Sequence, residues 1–458
     1  MCGRNLLPAT YDLFVEPFMR PIVALGMLLV ATPLAAQSRL TAKEEALRDT
    51  ILSERADAIA YLQQAVDIPS GTLQLAGVQR VGEVFLASLD SLGFTTHWVT
   101  MPPEMRRAGH LVAEHKGKEG RARVLLIGHF DTVVEPAAAT FVREDSMARG
   151  VGGGDMKGGD VIILFALKAL DHVGLLQDLN VTIVFTGDEE DPGSPLTVAR
   201  AALIDAGHRN EVALAFEGGS RSIATVARRG SSAWRLVATG RQAHSAGVFG
   251  AGTGYGAIYE LVRILDAFRQ QLAGEQYLTF NAATIVGGTD VAYDTAQESG
   301  TASSKLNIVP RMGVAAGDLR FMTPQQLERT RERMRQIVAQ HLPGTDAQIA
   351  FIDEYPAMPL TPGNARLLAF YDSASQALGY GPVAPMDPGM RGAGDLSFVA
   401  PFMDGLEGLG ALGTGAHTPG ERVNLNSLTM QTERAAVMLE RIGARPASEF
   451  ARGAGGAP

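Results

Sequence analysis

Three short, nearly unbroken apolar runs each stop at a histidine or an acid. Val124-Leu125-Leu126-Ile127 leads into His129, Val181-Thr182-Ile183-Val184-Phe185 into Glu189 and Glu190, and Val212-Ala213-Leu214-Ala215-Phe216 into Glu217. A strand with one wet face alternates polar and apolar residues. A strand buried on both faces does not, and such strands belong to parallel sheets covered by helices. Helix-spaced apolar residues occupy Lys43 to Val66, Val78 to Leu92 and Val161 to Leu170. The chain is therefore read as an α/β protein with a mostly parallel sheet. Sites in such sheets form beyond the carboxyl ends of the strands, which is where His129, Glu189 and Glu217 fall.

The texture changes near Arg228-Arg229-Gly230. Trp234 to Ala238 alternates like a half-exposed strand. Further alternating stretches follow at Gly313 to Phe321 and Ala347 to Ile352, with helical spacing at Tyr255 to Gln271 and Pro324 to His341. This predicts a small α+β insert over 227–355, splitting a core domain into 41–226 and 356–446, with a last helix near Leu428 to Ile442 and a flexible tail over 447–458. The N-terminus reads as a secretory signal over 1–36: Arg20, the apolar run Ile22 to Leu34, then Ala35-Ala36-Gln37. The run is too short for an ordinary membrane span. Asp12 and Glu16 stand where a signal wants positive charge, so Met19 is the better start. A secreted or periplasmic location follows. The only cysteine, Cys2, falls inside that segment, which leaves neither a disulfide nor a thiol nucleophile. A net charge of −9 without a long basic run excludes a nucleic-acid surface.

Five motifs carry the chemistry: GHFDTV, GGGDMKGG, TGDEED, AFEGG and GAHTPGE. His129 and Asp131, two apart at a strand end, share a face, and a metal-bound histidine gives its second ring nitrogen to a carboxylate or carbonyl. Read alone, they are equally a turn after a strand. Asp155 stands among glycines that let backbone approach closely. A phosphate loop is the rival reading, but GxxxxGK[ST] is absent and Lys157 is followed by neither Ser nor Thr. Glu189 and Glu190 point different ways and can divide metal binding from proton transfer, although a lone acidic pair also reads as a turn. Glu217 ends the third run, and His417 lies in a loop far along the chain. His244, in GRQAHSAG, reaches the core only if the insert folds over it or a second subunit supplies it. Mixed imidazole and carboxylate donors suit zinc and similar cations, and two ions sharing a carboxylate activate a water for hydrolysis.

In this order and spacing, from about Glu44 to Ile442, the motifs resemble the zinc-dependent exopeptidases and amidohydrolases that include bacterial carboxypeptidase G, aminoacylase, acetylornithine deacetylase and succinyl-diaminopimelate desuccinylase. The resemblance implies a mostly parallel-sheet dizinc catalytic domain with an inserted α+β lid and dimerisation domain. It implies two Zn2+ per chain, with Co2+ or Mn2+ accepted by the same donors. His129 and Glu217 would hold one ion, Glu190 and His417 the other, with Asp155 bridging. Asp131 would orient His129, and Glu189 would carry the proton. His244 would stabilise the oxyanion in the partner's site of a homodimer. Asn307 in LNIVP, Arg320 in GDLRF and Gly394 in GAGDLSF would contact the substrate. The implied activity is cleavage of an amide next to a free carboxylate, on a peptide or N-acyl amino acid. An aminopeptidase or dipeptidase of the same family is the alternative. Two departures weaken the substrate assignment: Asp191-Pro192 after the acidic pair, and the glycine-heavy loop Val248 to Tyr255.

Overall fold

The computed structural model describes residues 39–452. The signal-like segment and residues 453–458 lie outside the described residues. A six-stranded sheet runs in the order Thr95–Val99, His110–His115, Asn180–Thr186, Arg123–His129, Val212–Ala215, Asp404–Glu407. The last four strands are parallel, and the first two form an antiparallel edge. Successive side chains of a strand point to opposite faces, and here each face has its own core. Val124, Leu126, Ile183, Phe185 and Leu214 enter one cluster with helices Leu75–Ser91, Lys157–His172 and Leu425–Gly443. Leu125, Ile127, Val184, Ala213 and Ala215 enter another with helices Ala201–His208 and Leu396–Val399. Burial on both sides is why these strands read as continuous apolar runs.

A second, antiparallel sheet lies within residues 230–353. Its order is Thr279–Phe280, Met312–Phe321, Gly230–Gly240, Thr345–Asp353, and Thr284–Gly288 also pairs with Met312–Phe321. Helices Ala257–Leu272 and Pro324–Val338 pack on it through Leu236, Leu261, Ile264, Phe268 and Met334. A hairpin, Asp290–Asp294 with Ser299–Ser303, accompanies it; its second strand, SGTAS, is Gly-, Ser- and Thr-rich and carries no strand signal. The expected flexible tail from 447 is corrected. Phe450 is buried and stacks near Phe370, and Arg452 pairs with Asp404 at 2.8 Å, so the chain remains packed through Arg452. Among the described residues no helix is long and apolar enough to cross a membrane.

Candidate metal centre

The centre grows from the carboxyl ends of three adjacent parallel strands. His129 is the last residue of Arg123–His129, Glu189 and Glu190 follow Asn180–Thr186, and Glu217 follows Val212–Ala215. The order of these strands in the sheet brings the three ends side by side. Asp155 arrives on the glycine turn that opens helix Lys157–His172. Gly159 in its first turn lies so close to the end of a strand that a Cβ would stand 2.0 Å from the Phe216 carbonyl oxygen. No side chain fits there, and the absence of one lets Asp155 sit beside Glu217. His417 comes from a loop near the C-terminal end of the chain. Its φ of 65° is a left-handed conformation that histidine tolerates better than bulkier residues.

The donors converge. His129 Nε2 lies 3.4 Å from Asp155 Oδ1, 3.7 Å from Glu217 Oε1 and 4.0 Å from Glu189 Oε2. His417 Nε2 lies 3.2 Å from Asp155 Oδ2 and 3.5 Å from Glu190 Oε2. Asp155 therefore turns one oxygen to each histidine. Two donor sets stand within ligand reach of each other: His129, Asp155 and Glu190, and His129, Glu189 and Glu217. These sets cut across the division the resemblance implies, because His129 touches both acidic groups and Glu189 stands among the donors.

The electrostatics of the cluster fit divalent cations. His129 Nε2 is buried and has no hydrogen-bond partner, although buried polar atoms are rarely left so. Burial, opposed by His129 and helped by Asp155, holds the Glu190 carboxyl up at about 8, and burial holds that of Glu217 up at about 7. Hydrogen bonding to Asp155 lifts His417 to about 9. Burial opposes a charged His129, but Asp131 and Asp155 outweigh it and keep the ring protonated well above its usual range. Bound divalent ions would offset this crowding of carboxylates through the same nitrogen and oxygen donors.

A set of supporting side chains, most of them absent from the sequence reading, holds this arrangement. Asp131 is placed differently from expectation in one respect. His129 Nδ1 is 3.1 Å from the main-chain carbonyl of Asp131, and the Asp131 carboxylate is 3.4 Å from that nitrogen. The carboxylate mainly accepts from the Thr72 hydroxyl at 2.6 Å and from the amides of Glu189 and Glu190 at 3.0 and 3.1 Å. It thus fixes the turn carrying both glutamates. Glu421, the last residue of GAHTPGE, accepts from the amides of Gly152, Gly154 and Asp155 at 2.7, 2.7 and 3.0 Å and shapes the glycine turn. Buried Arg200 joins Asp188, just before Glu189, to Asp395, with bonds of 2.6 Å to each carboxylate. Asp131, Asp188, Asp395 and Glu421 lie within the quoted motifs, whereas Thr72 and Arg200 lie in none of them.

The cluster opens into a cleft of about 600 Å³ whose wall includes Arg228, Arg320, Glu354, Tyr355 and Arg391. Arg320 reaches this wall while donating from Nε to Asp318 at 2.8 Å. Gly394 stands just behind it, where a Cβ would meet Arg228 Nη1 at 2.0 Å. Neither His244 nor Asn307 lines the cleft of its own chain. They sit together, with the Ser245 amide donating to the Asn307 carbonyl at 2.9 Å, beyond the Gly240 and Met312 ends of the paired strands. Arg320 lies eight residues along from Met312, roughly 26 Å for an extended strand. Both His244 and Asn307 are exposed.

Open α/β sheets place ligands at their strand ends, and the donors gathered there define a metal-dependent hydrolase. More particularly, the chain belongs to peptidase family M20/M25/M40, whose model matches residues 125–441. It is 25% identical over 452 residues to carboxypeptidase G2 of Pseudomonas sp. (strain RS-16), covering 93% of this chain and 100% of that protein. Its fold is similar to that of the aminopeptidase PepT from Bacillus cereus, with a TM-score of 0.69 at 16% identity, covering 85% of this chain and 99% of that one. It is also similar to the YXEP protein of Bacillus subtilis, described as a dinuclear metal binding peptidase from the M20 family. There the TM-score is 0.59 at 14% identity, over 86% of this chain and 99% of that one.

Proposed function

We propose that this chain is a dizinc hydrolase that cleaves an amide bond next to a free carboxylate, as a carboxypeptidase or an N-acyl amino acid hydrolase. The observation that carries the two-metal reading is Asp155, whose oxygens face His129 and His417 separately. His129 and Glu217 would hold one ion, Glu190 and His417 the other, with Asp155 shared. Bound there, the ions supply Lewis acidity that polarises a carbonyl and makes a water easier to deprotonate. With five donors so assigned, Glu189 is free to move protons. Burial, followed by the charge of Glu217, raises its proton affinity well above that of an ordinary carboxylate, which suits a group that takes a proton from water and returns it to the leaving amine. Asp131 and Arg200 keep Glu189 in place from below. Arg320 receives the substrate's carboxylate through its forked donors.

Matched N-acyl amino acids and their C-terminal amides test this reading. Cleavage of the acids at more than about tenfold higher kcat/KM is the expected result, a difference of about 1.4 kcal/mol in the transition state. Equal cleavage, or cleavage only of substrates with a free amine, supports the aminopeptidase alternative.

The chain also has the surface for a homodimer that would supply His244 in trans. Phe249, Tyr259 and Val262 are each more than half exposed on and beside helix Ala257–Leu272, and Ile285 is equally exposed on strand Thr284–Gly288. These exposed apolar side chains support an interface on this side of the insert. His244→Ala and Glu189→Gln chains, each nearly inactive alone, should regain activity when mixed under conditions that exchange subunits. One hybrid site then holds Glu189 from one chain and His244 from the other. No recovery despite proven exchange contradicts the trans arrangement.

A further inference from the structure

The segment 187–195, which carries Glu189, lies between strand Asn180–Thr186 and helix Leu196–Ala199 and belongs to neither. No strand or helix ladder fixes it, so its main-chain groups must find partners elsewhere. Asp131 accepts from the Glu189 amide at 3.0 Å, and Arg200 donates to the Asp188 carbonyl at 3.0 Å. Both of these come from the core domain. The Glu189 carbonyl is held from another direction, because it accepts from the Tyr355 hydroxyl at 3.4 Å. Tyr355 stands on the cleft wall where the chain returns from the insert, just past strand Thr345–Asp353. Its ring packs on Phe398 with centroids 5.0 Å apart, and the Arg200 guanidinium lies 5.5 Å from that same Phe398 ring. This packing fixes where the hydroxyl points. Burial, then the charge of Glu189, raises the proton affinity of the phenol above its usual range, so the hydroxyl stays a donor.

The main chain of Tyr355 is tied to the insert's sheet. Its carbonyl accepts from the Ser231 amide at 2.9 Å, and its amide donates to the Ser231 hydroxyl at 3.4 Å. Ser231 is the register partner of Arg320 across strands Gly230–Gly240 and Met312–Phe321. Beside them Arg228 and Met358 exchange both main-chain bonds, at 2.8 and 3.0 Å, which pairs the two segments that join insert to core. Arg320, Ser231, Tyr355 and Glu189 therefore stand in one hydrogen-bonded frame along the cleft wall. We infer that Tyr355 is a positioning residue whose hydroxyl holds Glu189 in register with Arg320. A substrate whose carboxylate is seated on Arg320 then presents its amide where Glu189 passes the proton. Displacing a reacting group by about 1 Å costs about 10²-fold in rate. The inference rests on the roles proposed above for Glu189 and Arg320.

Tyr355→Phe keeps the ring on Phe398 and removes only the hydroxyl. On N-acyl amino acids the metal-loaded variant is expected to lose about tenfold in kcat, the scale of one hydrogen bond, with KM and metal content as in wild type. In a Glu189→Gln background the same substitution is expected to cost less than about twofold, because a residue that acts through Glu189 has nothing left to position. A hydroxyl that touched substrate directly would cost the same in both backgrounds. Hydrogen exchange reads the turn without turnover. Amides of 187–193 should exchange at least about fivefold faster in Tyr355→Phe, while strand Arg123–His129 keeps its protection and shows the fold intact. Unchanged kcat, a loss carried by KM, an equal loss in the Glu189→Gln background, or unchanged exchange over 187–193 overturns the inference. If Glu189→Gln alone keeps the wild-type kcat, the proton-carrier reading fails, while the exchange result still decides whether Tyr355 holds the turn.

Discussion

Glu189→Gln is expected to retain its metal and to lose about 10³-fold or more in kcat, the scale of a positioned general acid–base. The substitution keeps the size of the side chain and leaves the Glu189 amide bonded to Asp131. What it removes is the ability to hold a proton between water and leaving amine. Because Glu189 also stands within ligand reach of His129 and Glu217, the metal content of the variant separates two roles. Full metal with lost turnover identifies a proton carrier. Loss of metal would make Glu189 a ligand, and a variant with near wild-type kcat would remove it from the chemistry altogether.

Asp155→Asn is expected to go further. Asn offers one carbonyl oxygen where Asp155 turns two carboxylate oxygens toward His129 at 3.4 Å and His417 at 3.2 Å. It also removes a charge from a buried site where cations would be held. Metal should fall to one ion or fewer per chain after dialysis, and turnover should fall by more than about 10³-fold, since a bound metal contributes several kcal/mol to the barrier. Elemental analysis beside steady-state kinetics checks both. Two ions per chain and unimpaired turnover in Asp155→Asn would contradict the shared-ligand arrangement.

Much of this was legible in the sequence because buried parallel strands leave a strong trace. The runs before His129, Glu189 and Glu217 are apolar on both faces, and the donors follow directly at their ends. Asp155 and His417 were legible only beside the other motifs, since a glycine turn with an acid also reads as a phosphate loop and a lone loop histidine reads as structural. Other parts of the site left no such trace. Arg228 and Arg391 look like ordinary surface arginines until the fold encloses Glu407 between them. Arg200 lies on no motif, and only burial shows that it ties the glutamate turn to Asp395. His244 and Asn307 were readable as residues but not as positions, because their reach is set by the length of the insert's strands and by what a second chain adds. Phe450 and Arg452 sit near a Gly- and Ala-rich end that reads as loose, yet a buried ring, the Arg452–Asp404 ion pair and hydrogen bonds to the Gly120 and Ala400 carbonyls hold that stretch to the core.

A two-metal centre organised around Asp155 is tested most directly by anomalous diffraction at the zinc edge, from crystals of the zinc-loaded protein. Two peaks per chain are expected, one between His129 and Glu217 and one between His417 and Glu190, both in contact with the Asp155 carboxylate. A single peak, or two that leave Asp155 uncoordinated, would contradict it.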